Sequence, residues 1–128
     1  MGRLPITDML AAGVDMIEIA RVERGINRHG KRFLQRFFTE QEQVYCHGRA
    51  PSLAARFAVK EAVGKALGTG IGDIRWVDVE VVVDERGRPE LVLHQAAQEL
   101  AAARGLTQWA ISLTHTETHA IAFVVAMG

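Results

Sequence analysis

The chain has 128 residues, and its 15 Lys and Arg balance 15 Asp and Glu, so bulk charge draws it neither to nucleic acid nor to a membrane surface. That length suits one domain, expected to span residues 1–128 and to bury a proper core. A single cysteine, Cys46, excludes an internal disulfide, and there is neither a leader pattern nor a run of about 18 apolar residues, so the sequence reads as a soluble, cytoplasmic protein.

No role is assigned to the segment from Met1 to about Leu10. From Ala11 to Ile19 the alternation and the β-branched residues predict a strand in which Asp15 and Glu18 are the only charges. Arg21 to about Arg36 predicts one or two short helices broken near His29-Gly30, with Val22, Ile26, Phe33 and Phe37 turned inward. Opposite Val22 and Ile26, cations recur at three- and four-residue steps as Arg21, Arg24, Arg28 and Lys31 or Arg32. This stretch holds six cations and one acid, Glu23, in a chain whose net charge is zero. A solvated face is the ordinary explanation, and docking to an acidic partner is the functional one.

Thr39-Glu40-Gln41-Glu42 has the capping-box form and predicts a helix from about Glu40 to Gly48. Pro51-Ser52 is expected to open the next helix, with Ser52 as N-cap and Gly68 as its stop. This helix is apolar nearly all round: Leu53, Phe57, Gly64 and Leu67 share one side, and Ala55, Val59, Ala62, Val63 and Ala66 cover much of the rest. It is expected to be buried. Yet it carries four charges on two lines, Arg56 with Lys60 and Glu61 with Lys65, each pair spaced i,i+4. Charges inside an apolar helix need a counter-charge, a metal or a charged ligand. Beyond a glycine-rich loop, Trp76–Val83 and Glu90–Leu93 predict a hairpin around Asp84–Gly87. Gln95–Arg104 predicts a helix, and Trp109–Leu113 and Ala120–Ala126 two more strands. The order indicates an α+β fold, a mainly antiparallel sheet packed against a long central helix.

Two acids have apolar neighbours, Asp15 on the first strand and Glu61 on the buried helix. Either alone is compatible with a core carboxylate that caps a backbone group. Together they suit Mg²⁺, which takes one or two carboxylates plus water and substrate phosphates, and Lys65, one turn beyond Glu61, can reach the same phosphates. Other motifs are weaker. Gly68-Thr-Gly-Ile-Gly72 follows a helix and lacks the Lys-Ser/Thr ending of a phosphate loop. The histidines show no zinc spacing. Ser112 and His115 lack a nucleophile elbow, which leaves His115 a binding role at a strand end or a place in a solvated turn.

Three segments resemble the bacterial holo-acyl-carrier-protein synthases, the small 4′-phosphopantetheinyl transferases: Gly13-Val-Asp15-Met-Ile-Glu-Ile, Arg56-Phe-Ala-Val-Lys60-Glu61-Ala-Val-Gly-Lys65 with the loop to Gly72, and Ser112-Leu-Thr-His115-Thr. Phe38–Glu42 is similar to the start of the family's intervening helix. The resemblance covers nearly the whole chain in order. It implies transfer of the phosphopantetheine arm of coenzyme A to a serine of apo acyl carrier protein. By the same resemblance Asp15 and Glu61 bind the metal and Lys65 lies near the diphosphate; Lys65 is then expected to offset charge on the leaving group, and Glu61, or a metal-bound water it orients, to act as the general base. Arg56 and His115 hold the nucleotide and its 3′-phosphate, and Arg21, Arg24 and Arg28 meet the carrier protein. It further implies a homotrimer whose active sites lie between subunits. A Mg²⁺-dependent phosphohydrolase would use the same acids without needing the basic stripe, and a coenzyme A-binding scaffold would not need the two acids.

Overall fold

The computed structural model describes residues 10–128; of the segment without an assigned role, all but Leu10 lies outside the described residues. The elements are β1 (Leu10–Glu18), α1 (Ile19–His29), α2 (Lys31–Phe37), α3 (Glu40–Cys46), α4 (Ala50–Leu67), β2 (Val79–Val83), β3 (Pro89–Leu93), α5 (Gln95–Ala103), β4 (Gln108–His115) and β5 (His119–Met127). Two 3₁₀ turns, Gly70–Asp73 and Trp76–Asp78, lead from α4 to β2. The strands divide between two antiparallel sheets, β1-β5-β4 with β5 in the middle, and the hairpin β2-β3.

Local chemistry sets most of the boundaries. Gly30, at φ 54°, separates α1 from α2. The Thr39 hydroxyl accepts the Glu42 N–H at 3.2 Å, while Glu42 Oε1 accepts the Thr39 N–H at 2.9 Å, which completes the expected capping box. The start of α4 differs from expectation: its N-cap is Arg49, and Pro51 and Ser52 lie inside the first turn. Proline has no N–H to lose there, because first-turn N–H groups lack intrahelical acceptors in any case, so the helix begins ahead of it. Gly68, at φ 81°, ends α4 as expected.

Helix α4 runs through the centre of the molecule, buried from Leu53 to Lys60 and again at Ala62–Gly64 and Leu67. It rests on the inward face of the three-stranded sheet, where β5 offers only small or branched residues, Ala120, Ala122, Val124 and Ala126. Alternation along β1 puts Gly13, Asp15 and Ile17 on that same face. At Gly13 the two elements nearly touch. A Cβ there would stand 1.9 Å from the Ala62 carbonyl oxygen, so only glycine allows strand and helix to approach this closely.

Lys60 is 0 % exposed in the middle of this packing. Its ammonium donates to Glu42 Oε1 at 2.8 Å, to the Trp76 carbonyl at 3.2 Å and to the Val79 carbonyl, so all three hydrogens are used. Glu42 Oε2 accepts the Val81 N–H at 3.0 Å. One ion pair therefore ties α4 to α3, to the second 3₁₀ turn and to β2. Burial pushes the Lys60 amine below its ordinary pKa, against the pull of the Glu42 carboxylate. Beside this pair, Glu80 accepts the Thr39 hydroxyl at 2.6 Å and meets His94 Nε2 at 2.9 Å. Burial tends to raise the Glu80 carboxyl, but these two bonds together with the charges of His94 and Lys60 leave its pKa below the ordinary value.

Removing one partner of a buried pair leaves the other charge uncompensated, at a cost of about 3–5 kcal/mol. Lys60→Met is expected to lower stability by that amount, and the double variant Lys60→Met/Glu42→Gln to be more stable than Lys60→Met alone. Urea unfolding of the two variants checks this; a double variant no more stable than the single one would show that the charges do not interact as a pair.

Candidate active site

The close approach at Gly13 positions the acidic cluster. Two residues along β1, Asp15 points to the α4 side of the sheet, where Glu61 and Lys65 lie one turn apart next to Ala62. Lys65 Nζ donates to Asp15 Oδ1 at 3.1 Å and to the Val14 carbonyl at 2.9 Å. The sequence spacing suggested Glu61 as the partner of Lys65, but its ion pair is with Asp15, across the strand–helix joint. Lys65 is 53 % exposed and Asp15 17 %, so the pair opens to solvent and contributes little to stability.

Glu61 sits half-buried beside them. Burial raises the pKa of its carboxyl, the Asp15 carboxylate raises it further, and Lys65 and Arg21 pull against both. The balance leaves the Glu61 pKa above its ordinary value. Two carboxylates that repel each other near one lysine hold an excess of negative charge that a cation would relieve. Their donors are all hard oxygens, and among the described residues no third His, Cys, Asp or Glu joins them. That set fits Mg²⁺, which completes its shell with water and phosphate oxygens, and does not fit zinc.

Arg21 links this cluster to the basic stripe, with its guanidinium 6.0 Å from the centre of the Phe57 ring. Arg21, Arg24 and Arg28 are all exposed on α1, and among the described residues none of them makes an ion pair.

The other two expected site residues lie elsewhere. Arg56 precedes Glu61 by five residues, which turns it about 140° around the helix, away from β1 and towards α3. There it packs under Tyr45, with the guanidinium 4.7 Å from the ring centre, and Nη1 donates to the Ser52 carbonyl at 3.2 Å. His115 is exposed at the end of β4, its Nδ1 3.2 Å from the Thr116 carbonyl oxygen. In the sheet it stands opposite Ala120, and Ala120 stands opposite Ile17, so His115 is two strands from β1, a backbone separation of about 10 Å. One chain thus brings together Asp15, Glu61, Lys65 and Arg21, and leaves Arg56 and His115 apart from them.

Sequence reasoning missed the partner of Lys60. Glu42 reads as an ordinary capping residue, and no periodicity connects it to a lysine 18 residues away. The available signal was the need of a buried ammonium for a carboxylate, with Glu42 on the neighbouring helix.

The raised Glu61 pKa has a pH signature. Between the ordinary carboxylate pKa and the raised folded one, the fold keeps a proton that the unfolded chain releases, so this group lowers stability as pH rises through that interval. With a chelator present, Glu61→Gln is expected to be more stable than the parent at neutral pH, with the gap closing on acidification below the ordinary carboxylate range. Urea midpoints measured across that interval test it, and a gap independent of pH would refute it.

A family model of the 4′-phosphopantetheinyl transferase superfamily matches residues 11–124. The chain is 47% identical over 127 residues to the holo-[acyl-carrier-protein] synthase of Herpetosiphon aurantiacus, a match covering 94% of this chain and 100% of that one. It is 49% identical over 122 residues to the Moorella thermoacetica holo-[acyl-carrier-protein] synthase, with 93% of each chain covered. The crystal structure of Helicobacter pylori holo-[acyl-carrier-protein] synthase in complex with coenzyme A aligns with a TM-score of 0.83 at 33% identity, over 90% of this chain and 98% of that one. The agreement takes in β1, α4 and the late strands together, and it places this chain in the 4′-phosphopantetheinyl transferase superfamily, among the holo-[acyl-carrier-protein] synthases.

Proposed function

We infer that the protein, acting as a single transferase domain, moves the 4′-phosphopantetheine arm of coenzyme A onto a serine of apo acyl carrier protein at the cluster of Asp15, Glu61 and Lys65. The observation that carries this reading is the meeting of two carboxylates and a lysine where β1 touches α4, in segments that also carry the family match. Asp15 and Glu61 would hold Mg²⁺, which when bound offsets the charge of the diphosphate. Lys65, mostly in solvent and already turned towards Asp15, supplies a positive charge to the diphosphate oxygens. Its ammonium favours departure of adenosine 3′,5′-bisphosphate as the bond from phosphorus to the leaving oxygen breaks. Glu61 takes the serine Oγ proton as the new bond from Oγ to phosphorus forms. Its raised pKa makes it a stronger base than an ordinary carboxylate. Arg56 and His115 bind the nucleotide and its 3′-phosphate.

The separation of Arg56 and His115 from the acidic cluster favours a site completed by a second subunit. The outer face of the three-stranded sheet supports the same reading. Antiparallel sheets usually present polar residues to water, yet this face exposes Leu10, Val14, Met16, Ile121, Phe123 and Met127, with Met16 62 % and Phe123 47 % exposed. A homotrimer built on that face would bury it and bring His115 of one subunit to Asp15, Glu61 and Lys65 of another. The unpaired Cys46 suits a cytoplasmic setting, and among the described residues no helix is long and apolar enough to cross a membrane.

Incubated with coenzyme A, Mg²⁺ and apo acyl carrier protein, the enzyme is expected to add one phosphopantetheine mass to the carrier protein, read by mass spectrometry. Asp15→Ala or Glu61→Ala should slow this by about a hundredfold or more, and full activity of either variant at low Mg²⁺ would remove the metal site. Arg21→Glu should raise the Michaelis constant for carrier protein severalfold, most at low salt, because exposed charges act through steering and are screened beyond about 8 Å at physiological ionic strength. The same reversal at Arg28, away from the acidic cluster, should leave coenzyme A affinity nearly unchanged; the opposite pattern would assign α1 to the nucleotide. Mixing Asp15→Ala with His115→Ala subunits should restore activity in mixed trimers, and a monomer by sedimentation would end the shared-site reading.

A further inference from the structure

Among the described residues five charged side chains are buried: Glu42, Arg56, Lys60, Asp78 and Glu80. Four of them have a partner that bears or can bear the opposite charge. Glu42 and Lys60 hold each other, Asp78 pairs with Arg75 at 2.9 Å, and Glu80 meets His94. Arg56 has none. It is 5 % exposed, its Nη1 is committed to the Ser52 carbonyl, and its Nε is buried without any hydrogen-bond partner. A guanidinium kept out of water with an unused N–H is prepared for an anion, and the fork geometry of arginine suits a phosphate approached along an edge.

What holds Arg56 in this state is the aromatic ring of Tyr45. Glu42 and Tyr45 are three residues apart on α3, and Lys60 and Arg56 are four apart on α4, so the two helices meet through two contacts, one ionic and one cation–π. The buried pair fixes α3 against α4 and thereby fixes where Tyr45 stands. Its ring stands over the guanidinium, with 4.7 Å from the ring centre to the guanidinium carbon, in a setting that leaves Arg56 5 % exposed. The phenolic oxygen takes no part in this contact.

We propose that Tyr45 is a positioning residue for recognition of the 3′-phosphate of coenzyme A: its ring sets the Arg56 guanidinium and strengthens its grip on that phosphate alone. The proposal rests on the assignment of Arg56 to the 3′-phosphate. Coenzyme A and 3′-dephospho-coenzyme A differ only in the group in question, so each variant is titrated with both by calorimetry, and Michaelis constants for both are measured alongside. Tyr45→Ala is expected to weaken coenzyme A binding about fivefold, the size of one partly desolvated cation–π contact, to leave dephospho-coenzyme A binding unchanged, and to spare kcat. Tyr45→Phe keeps the ring and is expected to bind both like the parent. Arg56→Ala should abolish the preference for coenzyme A, and Tyr45→Ala added to Arg56→Ala should cost nothing more. Equal weakening of both ligands by Tyr45→Ala, no weakening of either, or a Tyr45→Phe variant as impaired as Tyr45→Ala would each overturn the proposal. So would a parent protein that binds both ligands equally, because Arg56 would then not read the 3′-phosphate. Absence of transfer to the carrier protein would instead overturn the reaction assigned above, while the two affinities would still decide the role of Tyr45.

Discussion

A lysine at the centre of the molecule imposes the constraint on which the other contacts depend. Helix α4 packs on nearly every side, so the Lys60 side chain has no route to water, and an unpaired ammonium there would cost several kcal/mol. The surrounding structure meets that cost with one carboxylate and two carbonyls drawn from α3, the second 3₁₀ turn and β2. Hydrophobic burial alone would let these segments slide over α4. Three directed hydrogen bonds to one nitrogen do not, and they fix these segments against the helix that carries Glu61.

Close packing elsewhere along α4 comes from the absence of side chains. Gly13 lets β1 press against the Ala62 carbonyl, and Gly64 lies just as close to Gly70, where a Cβ would stand 2.8 Å from the Gly70 carbonyl carbon. The first contact carries Asp15 to Lys65 and Glu61; the second folds the glycine-rich loop back onto the same stretch of helix. That loop is therefore packed against α4 in this structure. The Asp15–Lys65 pair is solvent-facing and weak, as the proposed transfer of Lys65 to a substrate phosphate would require.

Helix and sheet geometry also explain why Arg56 and His115 stand apart from Asp15, Glu61 and Lys65. Five residues of α-helix turn Arg56 away from Glu61, and the three-stranded sheet keeps His115 two strands from β1. The same sheet presents an apolar outer face that a lone antiparallel sheet would normally keep polar. The separation of Arg56 and His115 from the acidic cluster and the apolar outer face are the two observations on which the proposed shared site rests.

Much of this was legible in the sequence because it depends on neighbours along the chain. The capping box at Thr39–Glu42, the break at Gly30, the stop at Gly68 and the alternation of β1 and β5 are short-range features, and the structure reproduces them. The burial of α4, and with it the need of its charges for partners, followed from composition around the helical wheel. Which partners they found did not. Spacing suggested Arg56 with Lys60 and Glu61 with Lys65, whereas Lys60 chose Glu42 and Lys65 chose Asp15. Even the first turn of α4 starts ahead of the expected cap, because proline is free to sit within it. The sequence by itself determined most helices and strands, apart from Trp76–Asp78, expected as strand and found as a 3₁₀ turn, and which charged residues would need company, since propensity, capping and amphipathic period act over a few residues. Only the tertiary structure decided which carboxylate meets which cation, because those distances depend on how closely β1 and α3 approach α4, set by a missing Cβ at Gly13 and by the buried ammonium of Lys60.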